Sequence, residues 1–190
     1  MIRFLSIGAL MLSSAVAMAD GPSYSYIQAA YQEIDVDLGG NVDADGDGYG
    51  VAGSFAINED WFMFAGWSTF ELESVIDLDQ LQLGAGWRSA ISEKTDWYAS
   101  LAYIDYDLSA RGLGSASEDG FGVGFGLRSM VNPNFELYGQ VTYEDVGDGD
   151  TTVAAGLWYT VSGNVALGAG VDIGDDITAY GVGIRLYFDK

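Results

Sequence analysis

The chain contains no cysteine and no histidine, and each absence removes a class of function. Without cysteine there is no disulfide framework of the kind that stabilises many small exported domains. Without histidine, hydrolytic triads and dyads lack their usual general base. Glu144 and Asp172 could do acid–base chemistry only if one of these two carboxyl groups kept its proton at neutral pH. The composition therefore disfavours an enzyme, and we predict a non-enzymatic protein.

Basic residues are also scarce, with seven lysines and arginines against 28 acidic residues and a formal net charge of −21. Nucleic-acid binding depends on a basic surface that neutralises the backbone phosphates. This composition cannot build such a surface, so we exclude nucleic acid as a partner.

Long apolar runs are missing, apart from one short stretch at residues 4–12. The stretch follows Arg3 and precedes the small-residue triplet Ala17, Met18 and Ala19, which is the pattern of a cleavable secretory signal. It is shorter than the roughly 20 residues that a membrane-spanning helix needs. We predict a signal peptide over residues 1–19 and one mature domain over residues 20–190, with a retained N-terminal anchor as the alternative.

The other apolar residues alternate with small or polar ones, although 49% of all residues are hydrophobic. In residues 121–128, for example, phenylalanine, valine and leucine alternate with glycine up to Arg128. Such period-two runs indicate β-strands. They predict ten strands, at residues 23–34, 48–57, 61–71, 79–90, 97–106, 119–130, 135–144, 151–161, 165–173 and 177–188. Eight strands is the alternative, because residues 61–65 are apolar on both faces and leave one hairpin ambiguous.

The connections between these strands alternate in length and charge. The short ones lie at residues 58–60, 92–96, 131–134 and 162–164. The mostly longer, acidic ones lie at residues 35–47, 72–78, 107–118, 145–150 and 174–176. Short turns at one end and long loops at the other are typical of bacterial outer-membrane β-barrels, in which both termini lie on the periplasmic side.

Aromatic residues of the apolar face gather near both ends of the predicted strands. One set lies near the short turns: Phe55, Trp87, Trp97, Phe135, Tyr159 and Phe188. The other lies near the long loops: Tyr31, Tyr49, Tyr103, Phe121, Tyr143 and Tyr180. Two such girdles mark a lipid-facing wall, whereas a soluble lipocalin-like barrel would carry many charges outside. We predict an all-β, antiparallel, up-and-down transmembrane β-barrel, exported through the periplasm and integral to the outer membrane.

In length and in its last strand, the chain resembles the OmpA/OmpX-type family of small Gram-negative outer-membrane barrels, over nearly all of residues 23–188. The family's C-terminal assembly signal ends on an aromatic residue, and the matching positions are Tyr180, Val182, Ile184, Leu186 and Phe188. This chain departs from the pattern by adding Asp189 and Lys190. The resemblance implies recognition by the barrel-assembly machinery and contact with outer-membrane lipid and lipopolysaccharide.

An acidic segment at residues 43–51 carries a further signal. Asp43, Asp45 and Asp47, followed by Gly48, match the first half of an EF-hand loop, but the second half lacks the bidentate glutamate. We interpret the segment chiefly as a hairpin turn in a solvated anionic rim. Weak Ca²⁺ or Mg²⁺ binding is the alternative, and no other cofactor is predicted. The segment also resembles a subgroup of small barrels, some of whose members are described as signalling or immune-elicitor proteins.

Half of the basic residues that follow the signal peptide share the predicted interior face near the short turns: Arg88, Arg128 and Arg185. Glu136 lies on the same face, at the start of the strand beside Arg128. We predict that Arg88, Arg128, Arg185 and Glu136 form one ion-pair network near the periplasmic end. In so narrow a barrel we favour a structural role for it, with a charged gate as the alternative.

These features predict a non-enzymatic outer-membrane barrel with acidic extracellular loops and a structural or surface-interaction role. A narrow, porin-like pore for small solutes or cations is the alternative, because inward glycines leave space in the lumen. A calcium-binding or signalling surface protein is the third hypothesis.

Overall fold

The computed structural model describes residues 21–37, 43–73, 76–112, 114–147 and 149–188, so the predicted signal peptide lies outside the described residues. Ten strands run through these ranges: β1 Tyr26–Asp37, β2 Asp43–Ala56, β3 Trp61–Leu72, β4 Ile76–Ser92, β5 Thr95–Ala110, β6 Gly114–Asn132, β7 Phe135–Asp145, β8 Asp150–Ser162, β9 Val165–Ile173 and β10 Ile177–Tyr187. The ten-strand prediction is confirmed, and the eight-strand alternative is wrong. Within the described ranges, no helix is long and apolar enough to cross a bilayer.

The strands close into one antiparallel barrel in which each strand pairs with its neighbours in sequence. β1 and β10 complete the cylinder, with a continuous register from Tyr26 opposite Tyr187 to Val36 opposite Ile177. Closure matters in a bilayer because lipid offers no hydrogen-bond partners to an open strand edge. The predicted up-and-down architecture is confirmed.

Strand residues point alternately into the barrel and out of it. Val123 of β6 is 53% exposed on the outer face, between glycines that face the lumen. In β3, whose sequence left the register ambiguous, Trp61 and Met63 face outward while Phe62 and Phe64 are buried inside. The aromatic girdles therefore lie on the outer wall, as the sequence predicts.

Glycines on the inner face make room for aromatic rings from neighbouring strands. A Cβ atom on Gly86 would lie 2.1 Å from the Phe62 ring, and one on Gly84 would lie 2.2 Å from the Phe64 ring. These alternating glycines therefore serve packing. They let large side chains fill a narrow barrel, where the sequence alone suggested open space.

The strands reach further on the extracellular side than the sequence predicts. Most of the residues assigned to three long loops, at 35–47, 72–78 and 107–118, belong to strands instead. β5 and β6 each continue seven residues beyond the girdle positions Tyr103 and Phe121, which is about 20 Å of strand. The acidic residues there still alternate with apolar ones that face inward, so the period-two pattern continues above the bilayer.

A second correction concerns the start of β1. The sequence predicts the strand from residue 23, but it begins at Tyr26, and residues 22–25 turn into the barrel, where all four are buried. Two hydrogen bonds fix the end of this segment. Ser25 Oγ accepts from the Ala56 N–H at 3.4 Å, and the Ser25 carbonyl oxygen accepts from the Phe188 N–H at 2.9 Å. We call residues 22–25 the N-terminal plug.

Candidate functional site

Charged side chains gather inside the barrel at the short-turn end, which is periplasmic in an outer-membrane barrel. Arg128 Nη2 lies 2.6 Å from Glu136 Oε1, and Arg128 Nε donates to the same oxygen at 2.7 Å. Both side chains are at most 2% exposed. A buried guanidinium and a buried carboxylate compensate each other here, and either alone would be costly.

Arg185 of β10 shares this carboxylate. Its Nη1 lies 3.7 Å from Glu136 Oε1, while its Nε and Nη2 donate to Gln28 Oε1 at 2.9 and 2.7 Å. Tyr26 and Trp158 cover the guanidinium, with ring centroids 3.9 and 4.0 Å from Cζ. Cation–π contacts of this kind stabilise a desolvated guanidinium without adding a charge. The Glu136 carboxylate therefore forms ion pairs with two arginines.

Arg88 lies at the same end of the barrel, but its ion pair is with a residue that sequence reasoning missed. Arg88 Nη1 is 2.7 Å from Asp96 Oδ2, and both side chains are buried. The sequence places Asp96 in a turn at residues 92–96, whereas β5 already begins at Thr95. Asp96 lies two residues before the buried Tyr98, so the period-two pattern is the signal that could have placed it on the interior face. The predicted network must therefore be corrected to include a second carboxylate.

Tyr24 of the N-terminal plug joins the two ion pairs. The Cζ atoms of Arg128 and Arg88 lie 4.4 and 4.9 Å from the centroid of its ring. Arg128 Nη1 also donates to the Ser23 carbonyl oxygen at 2.9 Å. The plug thus closes the periplasmic mouth from within. Sequence reasoning missed this role because a period-two run does not distinguish a strand residue from one that folds under the rim.

A polar layer occupies the interior above the arginines. Ser68 Oγ donates to Gln80 Oε1 at 3.3 Å, and Gln80 Nε2 donates to the Tyr106 hydroxyl at 2.8 Å. The Tyr106 hydroxyl in turn donates to Glu144 Oε2 at 2.8 Å. The chain of hydrogen bonds runs from β3 to β7 across the lumen. Asp172, the other buried carboxylate, accepts a hydrogen bond from a different donor, Gln32.

Apolar side chains fill the extracellular end of the lumen. They include Ile34, Val36, Leu72, Leu78 and Ile177, which are all less than 10% exposed and are the extracellular members of a cluster that continues down the lumen to Tyr24. We call these five residues the extracellular cap. It lies in segments for which the sequence predicted acidic loops or their flanks. Buried side chains therefore fill the lumen near both ends, those of the plug and its arginines at one end and the extracellular cap at the other.

The EF-hand-like segment does not form a loop. Asp43 begins β2, and Asp45 and Asp47 lie on its outer face, opposite Asp35 and Glu33 of β1. Carboxylates two residues apart on a strand stand about 7 Å apart, which is too far to wrap around one ion. Among the described residues, no three histidine, cysteine or acidic side chains are placed so that they could hold one metal ion. The predicted loop geometry is therefore wrong.

The residues of the predicted assembly signal share the outer face of the last strand and its end: Tyr180, Val182, Ile184, Leu186 and Phe188. All five are more than a third exposed, on the wall that lipid would cover. The Phe188 N–H bonds to the plug, so the signal ends at the seam where β10 meets β1. Its recognition during assembly stays a prediction.

The sequence profile of the outer membrane protein beta-barrel domain matches residues 4–171. The chain belongs to this family. The resemblance drawn from the length of the chain and its last strand is thereby confirmed, and the protein is an integral outer-membrane barrel. No curated protein sequence matches it significantly.

Solved outer-membrane barrels share its fold. The KdgM porin is 14% identical, with 86% of this chain and 99% of that chain covered and a TM-score of 0.50. Neisserial surface protein A is 15% identical, with coverages of 86% and 96% and a TM-score of 0.50. The β domain of the Bordetella autotransporter BrkA is 11% identical, with coverages of 86% and 99% and a TM-score of 0.52. At such identities the likeness shows the barrel fold alone.

Proposed function

We propose that this outer-membrane barrel is a non-enzymatic, sealed protein that acts at the cell surface through its extended extracellular strands. Two observations support the proposal. Buried side chains fill the lumen near both ends, which argues against a solute pore. Among the described residues, one strand edge above the membrane has no pairing strand, which offers a way to bind another protein.

A lumen filled by side chains favours a structural or surface-binding role over a channel. Tyr24 stands between Arg88 and Arg128 at one end, and the extracellular cap fills the other. Barrels of about this strand number are narrow enough for side chains to fill. KdgM is described as a porin and BrkA as an autotransporter domain, so the shared fold does not choose between these roles.

Single-channel recording in planar bilayers tests the sealed lumen. The purified barrel should insert without stable conductance steps in KCl, while a general porin in the same bilayer serves as the positive control. Reproducible steps from the wild-type barrel would overturn the sealed lumen and establish the pore alternative.

The unpaired edge belongs to the upper part of β6. Residues 114–120 pair with β5 on one side, but the pairing of β6 with β7 starts only where Phe121 faces Asp145. In the described part of the chain, no strand pairs with the other edge of residues 114–120. Successive residues direct their N–H and C=O groups alternately to β5 and to this open edge. Such an edge can accept an added strand.

The charge of the residues around this edge indicates which kind of partner strand would add to it. Glu118 and Asp119 lie on the edge strand, and Asp105 and Asp107 lie beside them on β5. The chain as a whole carries a net charge of −21, so a second copy would be repelled. The occupant we propose is an extended, basic segment of another surface or host protein.

A defined peptide pair tests this interface. A lysine-rich peptide with alternating β-branched residues should bind the barrel in nanodiscs by fluorescence anisotropy, and the same peptide with a central proline should not. Asp119→Asn should weaken binding severalfold, whereas Asp35→Asn, at an exposed outward carboxylate of β1 several strands away from β6, should not. Equal binding of both peptides would mean that charge alone attracts them and would overturn strand addition.

Outer-membrane lipid and lipopolysaccharide are the membrane partners we propose. The aromatic girdles support contact with lipid. Above them on the outer wall, Glu33, Asp47 and Glu71 face one another in the register of β1, β2 and β3, at the level where divalent cations bridge lipopolysaccharide phosphates. Native mass spectrometry should show retained lipopolysaccharide that EDTA releases. Retention that EDTA leaves unchanged would contradict cation bridging.

A further inference from the structure

Asp172 of β9 is a carboxylate buried in the lumen, and its position is not explained by the ion pairs near the periplasmic end. It is 3% exposed and faces the interior opposite Ala154 and Ala179. Among the described residues its one hydrogen bond is long, from Gln32 Nε2 to Oδ2 at 3.4 Å. A carboxylate removed from water normally needs a strong donor or an opposite charge.

Three oxygen atoms in this part of the lumen have no hydrogen-bond partner among the described residues. They are Asp172 Oδ1, Gln32 Oε1 and the Tyr138 hydroxyl. Gln32 is joined to Asp172 by the bond above, and Tyr138 lies over Gly156, where a Cβ atom would be 2.5 Å from its hydroxyl. Gly156 in turn pairs with Gly170, which lies two residues from Asp172 on the same face of β9. Oxygen atoms without partners among the described residues therefore adjoin one buried carboxyl group.

No described basic side chain lies within ion-pair distance of Asp172. The nearest arginine on the adjoining strand is Arg185, six residues below Ala179 on β10, or about 20 Å of strand. Its guanidinium is already held by Gln28 and shared with Glu136. No described side chain therefore supplies a positive charge at Asp172.

We propose that Asp172, Gln32 and Tyr138 form a lumenal site for one alkali cation, Na⁺ or K⁺. Carboxylate, amide and hydroxyl oxygens are suitable ligands for a hard cation. A single carboxylate balances a single positive charge, whereas Ca²⁺ or Mg²⁺ would leave a buried excess charge. The absence of any three-carboxylate group in the described ranges also disfavours a divalent site. The cation would stabilise the polar layer between the plug and the cap.

Equilibrium unfolding in lipid tests the site. Urea titrations are run in NaCl, KCl or choline chloride at one ionic strength, because choline matches the charge but is too large for the site. For the bound ion, the unfolding equilibrium constant should fall about tenfold for each tenfold rise in concentration above the Kd. Asp172→Asn should remove this dependence.

Glu144→Gln is the matched control, since Glu144 is equally buried but accepts a hydrogen bond from Tyr106. This variant should keep the dependence on the cation. If the stability of the wild type and that of Asp172→Asn depended equally on the cation, the cation would be acting on exterior carboxylates. That result would overturn the proposal. No dependence in the wild type would overturn it as well, in favour of a protonated or hydrated Asp172.

Crystals of the wild-type barrel grown in RbCl provide a second test that does not need a folded variant. Anomalous scattering should show a rubidium peak within about 3 Å of Asp172 Oδ1, since oxygen ligands bind such ions at close contact. Density without anomalous signal at that place would identify water and refute the site.

Discussion

The Arg128 guanidinium and the Glu136 carboxylate meet inside the barrel 2.6 Å apart, almost without access to solvent. Glu136→Gln would leave the guanidinium groups of Arg128 and Arg185 undercompensated, so we expect a loss of about 3–5 kcal/mol in the free energy of unfolding. Tryptophan fluorescence during urea unfolding measures it. Glu93→Gln at an exposed turn is the control and should change stability by less than about 0.5 kcal/mol. A rise in conductance without loss of stability would show instead that Glu136 gates a channel.

The Tyr24 ring offers a test of the N-terminal plug. Tyr24→Ala removes a buried ring from between two guanidinium groups and should cost about 3–5 kcal/mol, as for other large-to-small core changes. Tyr24→Phe keeps the ring and loses only a hydroxyl that has no hydrogen-bond partner in the described structure, so its stability should stay near the wild type.

Because the chain has no cysteine, a single cysteine at the buried, inward Ser54 can report on access to the lumen. A charged, water-soluble thiol reagent should modify it slowly in the wild type and in Tyr24→Phe, but at least tenfold faster in Tyr24→Ala. Equal rates in all three would mean that the plug does not seal the mouth.

The outer face of β6 tests which residues contact lipid. Val123→Arg or Phe125→Arg places a charge near the bilayer midplane and should destabilise the barrel by about 2–4 kcal/mol. Gly124→Arg, on the inner face, should act through crowding, because even a Cβ atom there would lie 2.6 Å from Ser100 Oγ. Lipid-soluble quenchers should reach fluorophores at the first two positions only. Quenching at all three would contradict the assignment of faces.

Any larger residue in place of the glycines beside Phe62 and Phe64 should lower the stability of the barrel. Gly86→Ala or Gly84→Ala pushes a methyl group into a ring and should cost about 1–3 kcal/mol, typical of an overpacked core. Gly53→Ala is the control, because the nearest atom to its Cβ would be 3.8 Å away. Thermal unfolding distinguishes them, and an equal response at all three sites would refute the packing role.

Export and processing give a further expectation. The mature protein should fractionate with the outer membrane and begin at Asp20, and its gel migration should shift on heating, because a closed barrel has no free edge in the bilayer at which to unravel. Mass spectrometry of the purified protein gives its first residue. A mass that includes residues 1–19 would instead support the retained N-terminal anchor.

The wall of the barrel was predictable from the sequence because alternation is a local property. Every second residue of a strand faces the same side, so residues such as Val123 and Tyr180 could be assigned to lipid without knowledge of any partner strand. The same rule correctly placed Arg88, Arg128, Arg185 and Glu136 inside. The strand prediction failed above the membrane, because the acidic composition there suggested loops. Buried residues such as Leu78 nevertheless continue the period-two alternation in these segments.

The contents of the lumen were decided only by the tertiary structure. Arg128 bonds the carbonyl oxygen of Ser23, 105 residues away in sequence, and Gln32 reaches Asp172 across 140 residues. Such pairings depend on closure of the barrel and on the stagger between its strands, neither of which leaves a local signal in the chain. For the same reason, the plug beneath the arginines and the unpaired upper edge of β6 emerge only from the register of all ten strands. The period-two pattern determines whether a side chain faces the lumen or the lipid, but the register of the closed barrel determines which residues it contacts there.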